Sequence, residues 1–263
     1  MKNILPQQIF SKIIRAVVEF DMISDGDKIL IGLSGGKDSL FLTYALKILQ
    51  DRIARNFSIS AITINPMFNK DFAEKIHELK NFCNDLNISH EIFPTDIAGV
   101  IANQNNKNAC YTCAYFRRAA INRIANEIGA NKIAYAHHLD DAVETFFMSL
   151  LSSGQLTTFQ PKTFLSRSNL YVIRPMIYLR ENEITNFVTD KNFPIVKSPC
   201  EFAGKTNREV IKNLIADLSK NFPDLFNHLA AAMRKDSVKE LWDAEKSRAD
   251  MKKIYFDYMK KVL

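Results

Sequence analysis

Short apolar runs of strand length alternate along this chain with longer stretches whose apolar positions recur at helical spacing. Ile9 to Phe20, apolar at helical intervals with Lys and Arg between, predicts a helix. The turn Ser24-Asp25-Gly26-Asp27 leads into Lys28 to Leu33, a predicted strand. A glycine-containing loop follows, and Leu40 to Ile53 predicts the next helix. The alternation continues with strand 57–64, helix 70–86, strand 89–95, helix 110–127 closed by Gly129, and strand 132–137. Helix 140–152, strand 170–174 and helix 181–190 complete it. The Asn- and Gln-rich stretch 102–108 reads as a loop. After Gly204 the pattern turns helical and charged, with helices over 207–219 and from Pro223 to Ala232. A stretch rich in Lys, Glu and Asp with interspersed aromatics runs from Arg234 to Leu263.

Strands that alternate with helices at this spacing predict an α/β fold, a mostly parallel sheet covered on both faces. Ligands of such sheets bind at the carboxyl ends of the strands, near a topological switch point. The loop at Ser34, the end of the second strand at Asn65, and His137 to Asp141 all fall at such ends. The expected organisation is an N-terminal helix (1–22), a catalytic α/β domain (23–205) and a helical C-terminal extension (206–263).

Composition narrows the class. Apolar residues make up 47% and charged residues 24%, which is ordinary globular material. No stretch approaches the ~20 apolar residues of a membrane helix, and the N-terminus lacks a signal-peptide core, so a cytoplasmic protein with no membrane partner is expected. The net charge of +6 permits a polyanionic partner. Four cysteines in a reducing compartment do not predict a disulfide framework.

The chemistry concentrates in three places. Ser34-Gly35-Gly36-Lys37-Asp38-Ser39 joins a strand to a helix. Glycines let backbone N–H groups close around phosphate oxygens, and the helix N-terminus adds positive partial charge. Lys37 can neutralise phosphate, Ser34 and Ser39 can donate hydrogen bonds, and Asp38 makes sense beside phosphate if it holds Mg²⁺. Second, Cys110 and Cys113 open a helix and Cys200 follows later, while Cys83 sits at a core position. A four-iron cluster, zinc and a redox dithiol all remain open for that set. Third, of Asp140 and Asp141 after His137-His138, one is expected to cap its helix and the other to complete a magnesium site or move protons. Arg117 is expected to face phosphate or developing charge. Lys162 and Arg174 are weaker candidates for substrate contact.

The loop resembles the SGGKDS loop of the PP-loop ATP pyrophosphatases, which cleave ATP to AMP and pyrophosphate while adenylating a substrate. Cys110-Tyr-Thr-Cys113-Ala-Tyr-Phe-Arg117-Arg118 resembles the CxxCxxxRR segment of the tRNA 2-thiocytidine synthetase (TtcA) family. Ala136-His137-His138-Leu139-Asp140-Asp141 is similar to its GHHxDD segment, Val172 to Met176 to its IRPL segment, and Phe193-Pro194-Ile195 to its FPI segment. The resemblance runs from about Ile23 to Leu225. It implies a Rossmann-like PP-loop ATP pyrophosphatase domain, ATP and Mg²⁺, and a [4Fe-4S] cluster on Cys110, Cys113 and Cys200. It also implies thiolation of cytidine 32 in tRNA, with sulfur from a cysteine desulfurase or free sulfide. The C-terminal helix is read as a packing or dimer helix, which admits a homodimer.

Ala136 replaces the family's glycine, Ser153-Gly154-Gln155 lacks its lysine, Lys197 stands where some members have cysteine, and Asn65-Pro66 replaces an acidic–amide pair. These departures leave two alternatives: an enzyme acting on another tRNA position or a small molecule, and a non-catalytic sensor that binds metal and nucleotide.

Overall fold

Packing that alternates between the two faces of the sheet along β1 (Lys28–Gly32) sets the architecture. Ile29 and Ile31 pack into one hydrophobic core, and Leu30 into another on the opposite face. A strand buried on both faces needs helices on both. The computed structural model describes residues 4–68, 70–103, 109–196, 207–234 and 246–259. The remaining described strands are β2 (Ser58–Asn65), β3 (Ser89–Pro94), β4 (Lys132–Ala134), β5 (Lys162–Leu165) and β6 (Leu170–Ile173). They form one sheet in the order β3-β2-β1-β4-β6-β5, parallel except for the β5–β6 pair.

The helices are α1 (Gln7–Glu19), α2 (Lys37–Arg52), α3 (Lys70–Lys75), α4 (Glu78–Asp85), α5 (Ile97–Asn103), α6 (Ala109–Glu127), α7 (Leu139–Ser153), α8 (Glu181–Asp190), α9 (Asn207–Asn221), α10 (Leu225–Ala232) and α11 (Arg248–Met259). Ile9, Ile13, Ala16 and Val17 bury one stripe of α1. They join α2, α4 and α8 in the core that receives Ile29 and Ile31. Helices α5 and α6 cover the other face through Ile97, Ile101, Ile121 and Ile124. A third, smaller core joins Leu139 and Val143 of α7 to Ile211 and Ile215 of α9 and Phe226 of α10. The chain goes from β1 to β2 on one side and later places β4 on the other, so the switch point lies at β1, where ligands of such sheets bind.

Several elements differ from expectation. The helix expected over 70–86 is two helices, because His77, Leu79 and Lys80 donate to carbonyls three residues back and break the α-helical ladder. The strand expected to reach His137 ends at Ala134, because its neighbours β1 and β6 stop at Gly32 and Ile173. Residues 135–137 therefore leave the sheet. Ala102 and Asn103 close α5 rather than starting a loop, and 104–108 lie outside the described residues. Edge strand β5 pairs with β6 around a turn where Asn169 takes a φ of 51°. Four residues of weak alternation gave no signal for it.

At the amino ends of β1 and β4, Lys132 and Asp27 form a buried pair with Nζ–Oδ2 2.6 Å, each under 10% exposed. Lys132 also donates to the Met22 carbonyl at 2.9 Å, and Asp27 accepts from Asn131 and the Ser24 amide. Removing one partner would leave the other charged and buried. Lys132→Ala should therefore lower stability by about 3–5 kcal/mol; the check is urea unfolding of both proteins.

Candidate active site

The loop after β1 is held in shape from several sides. Leu33 donates its amide to the Ile62 carbonyl at 2.9 Å, and Thr63 Oγ1 donates to the Leu33 carbonyl at 2.7 Å. Ser39 Oγ donates to the Gly36 carbonyl at 2.9 Å and accepts from the Ser34 amide at 3.2 Å. The two serine hydroxyls lie 3.1 Å apart. Gly35 takes a φ of +86°, and a Cβ there would meet Val196 Cβ at 2.9 Å. Its carbonyl accepts from the Val196 amide at 2.9 Å. Gly36 is the N-cap of α2, so the loop ends on a helix N-terminus. Lys37 Nζ is bound by Asp38 at 3.1 Å and Glu181 Oε1 at 3.0 Å. Burial works to lower its pKa, but the two carboxylates outweigh it and raise it. Lys212 of α9 holds the other Glu181 oxygen at 2.7 Å.

His138 is buried and lies among three carboxylates. Its Nε2 is 3.4 Å from Asp141 and 3.8 Å from Asp38, and its Nδ1 is 3.7 Å from Asp140. Burial would lower its pKa; the carboxylates overcome this and raise it. Asp141 accepts from the His138 amide at 3.0 Å, which closes the first turn of α7, and its other oxygen is 3.6 Å from Arg208 of α9. Asp140 points elsewhere. It accepts from the Glu181 amide at 2.8 Å and from Arg180 Nε at 3.2 Å, and so caps α8. Burial opposes its ionisation, yet these bonds and His138 hold it down at about 2. Both aspartates are thus helix caps, where the sequence reading expected only one.

One cavity of about 570 Å³ collects most of these groups. Ser34, Gly36, Asp38 and Ser39 line one wall, and Cys110, Cys113, Arg117 and Arg118 of α6 line another. Tyr135, Ala136, His137, Asp141 and Arg174 complete it. Burial pushes His137 down to about 4, and Arg174 Nε donates to its Nδ1 at 3.2 Å, as a neutral imidazole allows. Burial lowers Arg174 itself only to about 10, so it stays a cation. The Arg117 Nε and the Tyr135 hydroxyl are buried without a hydrogen-bond partner. Orphaned donors in a cavity fit an anionic or polar ligand.

Not every expected residue is there. Gly35 and Lys37 shape the loop from behind the cavity wall, and Asp140 is turned toward α8. Asn65 accepts from the Met67 amide at 3.0 Å and stays off the lining, where Ile62 and Ile64 take its place. Lys162 pairs with Asp21 at 3.0 Å instead of facing the cavity. Cys200 lies outside the described residues, and among those no group of three metal-ligating side chains is assembled. Val196, four positions before Cys200, is nonetheless anchored on Gly35. Tyr135, Glu181, Arg208 and Val196 were not singled out as site residues from sequence. Their roles arise from contacts between elements far apart in the chain.

A parallel sheet whose β1–α2 loop reads Ser-Gly-Gly-Lys-Asp-Ser, with paired cysteines facing it, defines a PP-loop protein. The PP-loop domain family matches residues 6–218. The tRNA-cytidine(32) 2-sulfurtransferase of Alcanivorax borkumensis is 34% identical over 234 residues, covering 87% of this chain and 81% of that protein. The protein of the same name from Pectobacterium carotovorum is 32% identical over 237 residues, 88% of this chain and 75% of its own. The chain belongs to the PP-loop family and, within it, to the tRNA-cytidine(32) 2-sulfurtransferase family. The U34-tRNA thiolase NcsA from Methanococcus maripaludis, solved with its [4Fe-4S] cluster, shares the fold: TM-score 0.71, 23% identity, 86% of this chain and 76% of that one. NMN synthetase from Francisella tularensis shares it more distantly, with TM-score 0.51 and 13% identity over 91% of this chain and all of its own.

Two predictions follow from this geometry. Gly35→Ala needs a strained φ and a 2.9 Å contact together, so it should cost about 1–3 kcal/mol and weaken ATP binding; thermal unfolding and nucleotide titration calorimetry check both. Asp140 is depressed to about 2, so its stabilisation is complete above about pH 4 and is lost as pH falls through its folded value. The stability difference between wild type and Asp140→Asn should shrink as pH falls below about 4, as urea unfolding at stepped pH would show.

Proposed function

We propose that this protein is an ATP-dependent tRNA sulfurtransferase that converts cytidine 32 to 2-thiocytidine. The observation that carries this reading is one cavity lined both by Ser34, Gly36, Asp38 and Ser39 of the loop and by Cys110 and Cys113. Adenylation and thiolation must act on one carbon in turn, so both sets of groups must reach it without the base leaving.

The residues divide by chemistry. The loop amides and the α2 N-terminus hold the ATP phosphates, with Ser34 and Ser39 fixing the loop. Asp38 and Asp141 both line the cavity, with His138 packed between them; they are the carboxylates suited to Mg²⁺. Asp140, drawn off to cap α8, positions the acidic turn. The cytidine C2 oxygen attacks the α-phosphorus, a new O–P bond forms, and pyrophosphate leaves. Arg117 and Arg174 stabilise the charge on the phosphoryl oxygens. Sulfide then adds at C2, and the C2–O bond breaks with AMP as leaving group. His137, neutral and accepting from Arg174 at Nδ1, carries its proton on Nε2 and can donate a hydrogen bond there.

Cys110 and Cys113 sit three residues apart on one side of α6, and both reach the cavity, as thiolate ligands of a cluster require. With Cys200 as third ligand, a [4Fe-4S] group there would supply an open iron for holding sulfide. A cysteine desulfurase or free sulfide as donor, a cytoplasmic location and a homodimer built on the C-terminal helix complete the reading. No helix among the described residues is long and apolar enough to cross a membrane.

Cys113→Ala should lose iron and thiolation while keeping ATP affinity. Asp38→Ala should keep the iron and lose ATP-driven pyrophosphate release by on the order of 100-fold. Iron analysis, pyrophosphate assay and mass spectrometry of tRNA nucleosides read these out. Unchanged 2-thiocytidine in a deletion strain without a second copy would reject the tRNA assignment.

A further inference from the structure

The first turns of α6 carry a feature that the cavity chemistry does not use. Tyr111 and Tyr115 are 68% and 55% exposed, and their rings stack with centroids 6.5 Å apart and planes 21° from parallel. At about 100° per residue, Tyr115 lies about 40° to one side of Tyr111 and Arg118 about 20° to the other. The three side chains therefore form one stripe along the helix. Cys110, Cys113, Arg117 and Ile121 occupy the adjoining face, which lines the cavity, and Arg118 belongs to both. The stripe thus borders the cavity-lining face of the helix and meets the cavity at Arg118. The helix carries Arg117, Arg118 and Arg123 and a single carboxylate, Glu127, at its far end.

We propose that the Tyr111–Tyr115–Arg118 stripe is a stacking platform for unpaired bases of the RNA loop whose cytidine enters the cavity. The proposal rests on the tRNA reading and adds the surface that would grip the loop. A base drawn into a cavity of about 570 Å³ leaves its stack, and its neighbours lose a stacking face. Two exposed, nearly parallel aromatic rings beside the cavity-lining face can replace that stacking face, as aromatic side chains do for splayed single-stranded bases. Arg118, one turn on, supplies the positive charge that the backbone needs. A protein partner fits less well, because the stripe is narrow and runs into Arg118.

The test uses full-length protein, reconstituted anaerobically, and a fluorescein-labelled anticodon stem-loop RNA with an unmodified cytidine 32. Tyr111→Ala/Tyr115→Ala should weaken RNA binding by roughly 5- to 150-fold for each base stacked. Tyr111→Phe/Tyr115→Phe should bind within about two-fold of wild type, since the ring face is kept. Iron content and ATP affinity should be unchanged in both. The slope of log affinity against log salt should also be unchanged, because no phosphate contact is removed. Alanine-variant binding within about two-fold of wild type would overturn the platform while leaving the tRNA reading intact. So would unchanged RNA binding with weaker capture of a sulfur-donor protein, which would make the stripe a protein-docking surface. A wild-type protein that binds no stem-loop would overturn both.

Discussion

The arrangement of this site depends on one backbone conformation, the left-handed turn at Gly35. It aims the loop at the helix N-terminus, and it brings the Gly35 carbonyl within 2.9 Å of the Val196 amide. No residue with a side chain fits, both because φ is +86° and because Val196 fills the space where a Cβ would be. The same residue therefore shapes the phosphate loop and anchors the chain four positions before Cys200. The phosphate loop and the chain at Val196 are tied together by a hydrogen bond between backbones. A displacement of either segment would be felt by the other.

The second organising element is charge closed upon itself. Lys37 is held by Asp38 and Glu181, and Glu181 is shared with Lys212. His138 lies among Asp38, Asp140 and Asp141, and Arg208 spans Asp141 and Glu144. Partly buried charges cost less when each has a partner. The partners come from α2, α7, α8 and α9, so helices beyond the sheet contribute to the electrostatics of the loop. Lys37 reaches a phosphate only by giving up carboxylate contacts, and Arg208 and Lys212 of α9 then remain to balance Asp141 and Glu181.

Much of this was legible in the sequence because the signals were local. The strand–loop–helix at Lys28 to Arg52 has a period, a glycine turn and a phosphate-binding composition in one continuous stretch. The helical spacing of Cys110, Cys113 and Arg117 likewise placed them on one side of α6. What the sequence did not disclose was set by contacts over long separations. Asp140 and Asp141 are adjacent and chemically identical, and only the position of Glu181, forty residues on, turns one toward α8 and leaves the other on the cavity. The pairing of Lys37 with Glu181 was equally hidden, because Glu181 belongs to another helix. The end of β4 was misjudged by three residues because a strand stops where its neighbours stop, which its own composition does not record.

The departures from the family's motifs can be sorted by where they fall. Ser153-Gly154-Gln155 is exposed and ends α7, with Gly154 at a φ of 65° and its amide bound to the Leu150 carbonyl. None of the three lines the cavity. Asn65 is spent on a turn with Met67. Ala136 does line the cavity, but it also packs against the larger core, so its extra methyl fills space without adding a polar group. The departures at Asn65 and at Ser153 to Gln155 thus fall off the cavity lining, and Ala136 brings no polar group to it. The exposed tyrosines on α6 lie in that same outer zone. Stacked rings beside an arginine can grip an RNA loop there without altering the groups that line the cavity.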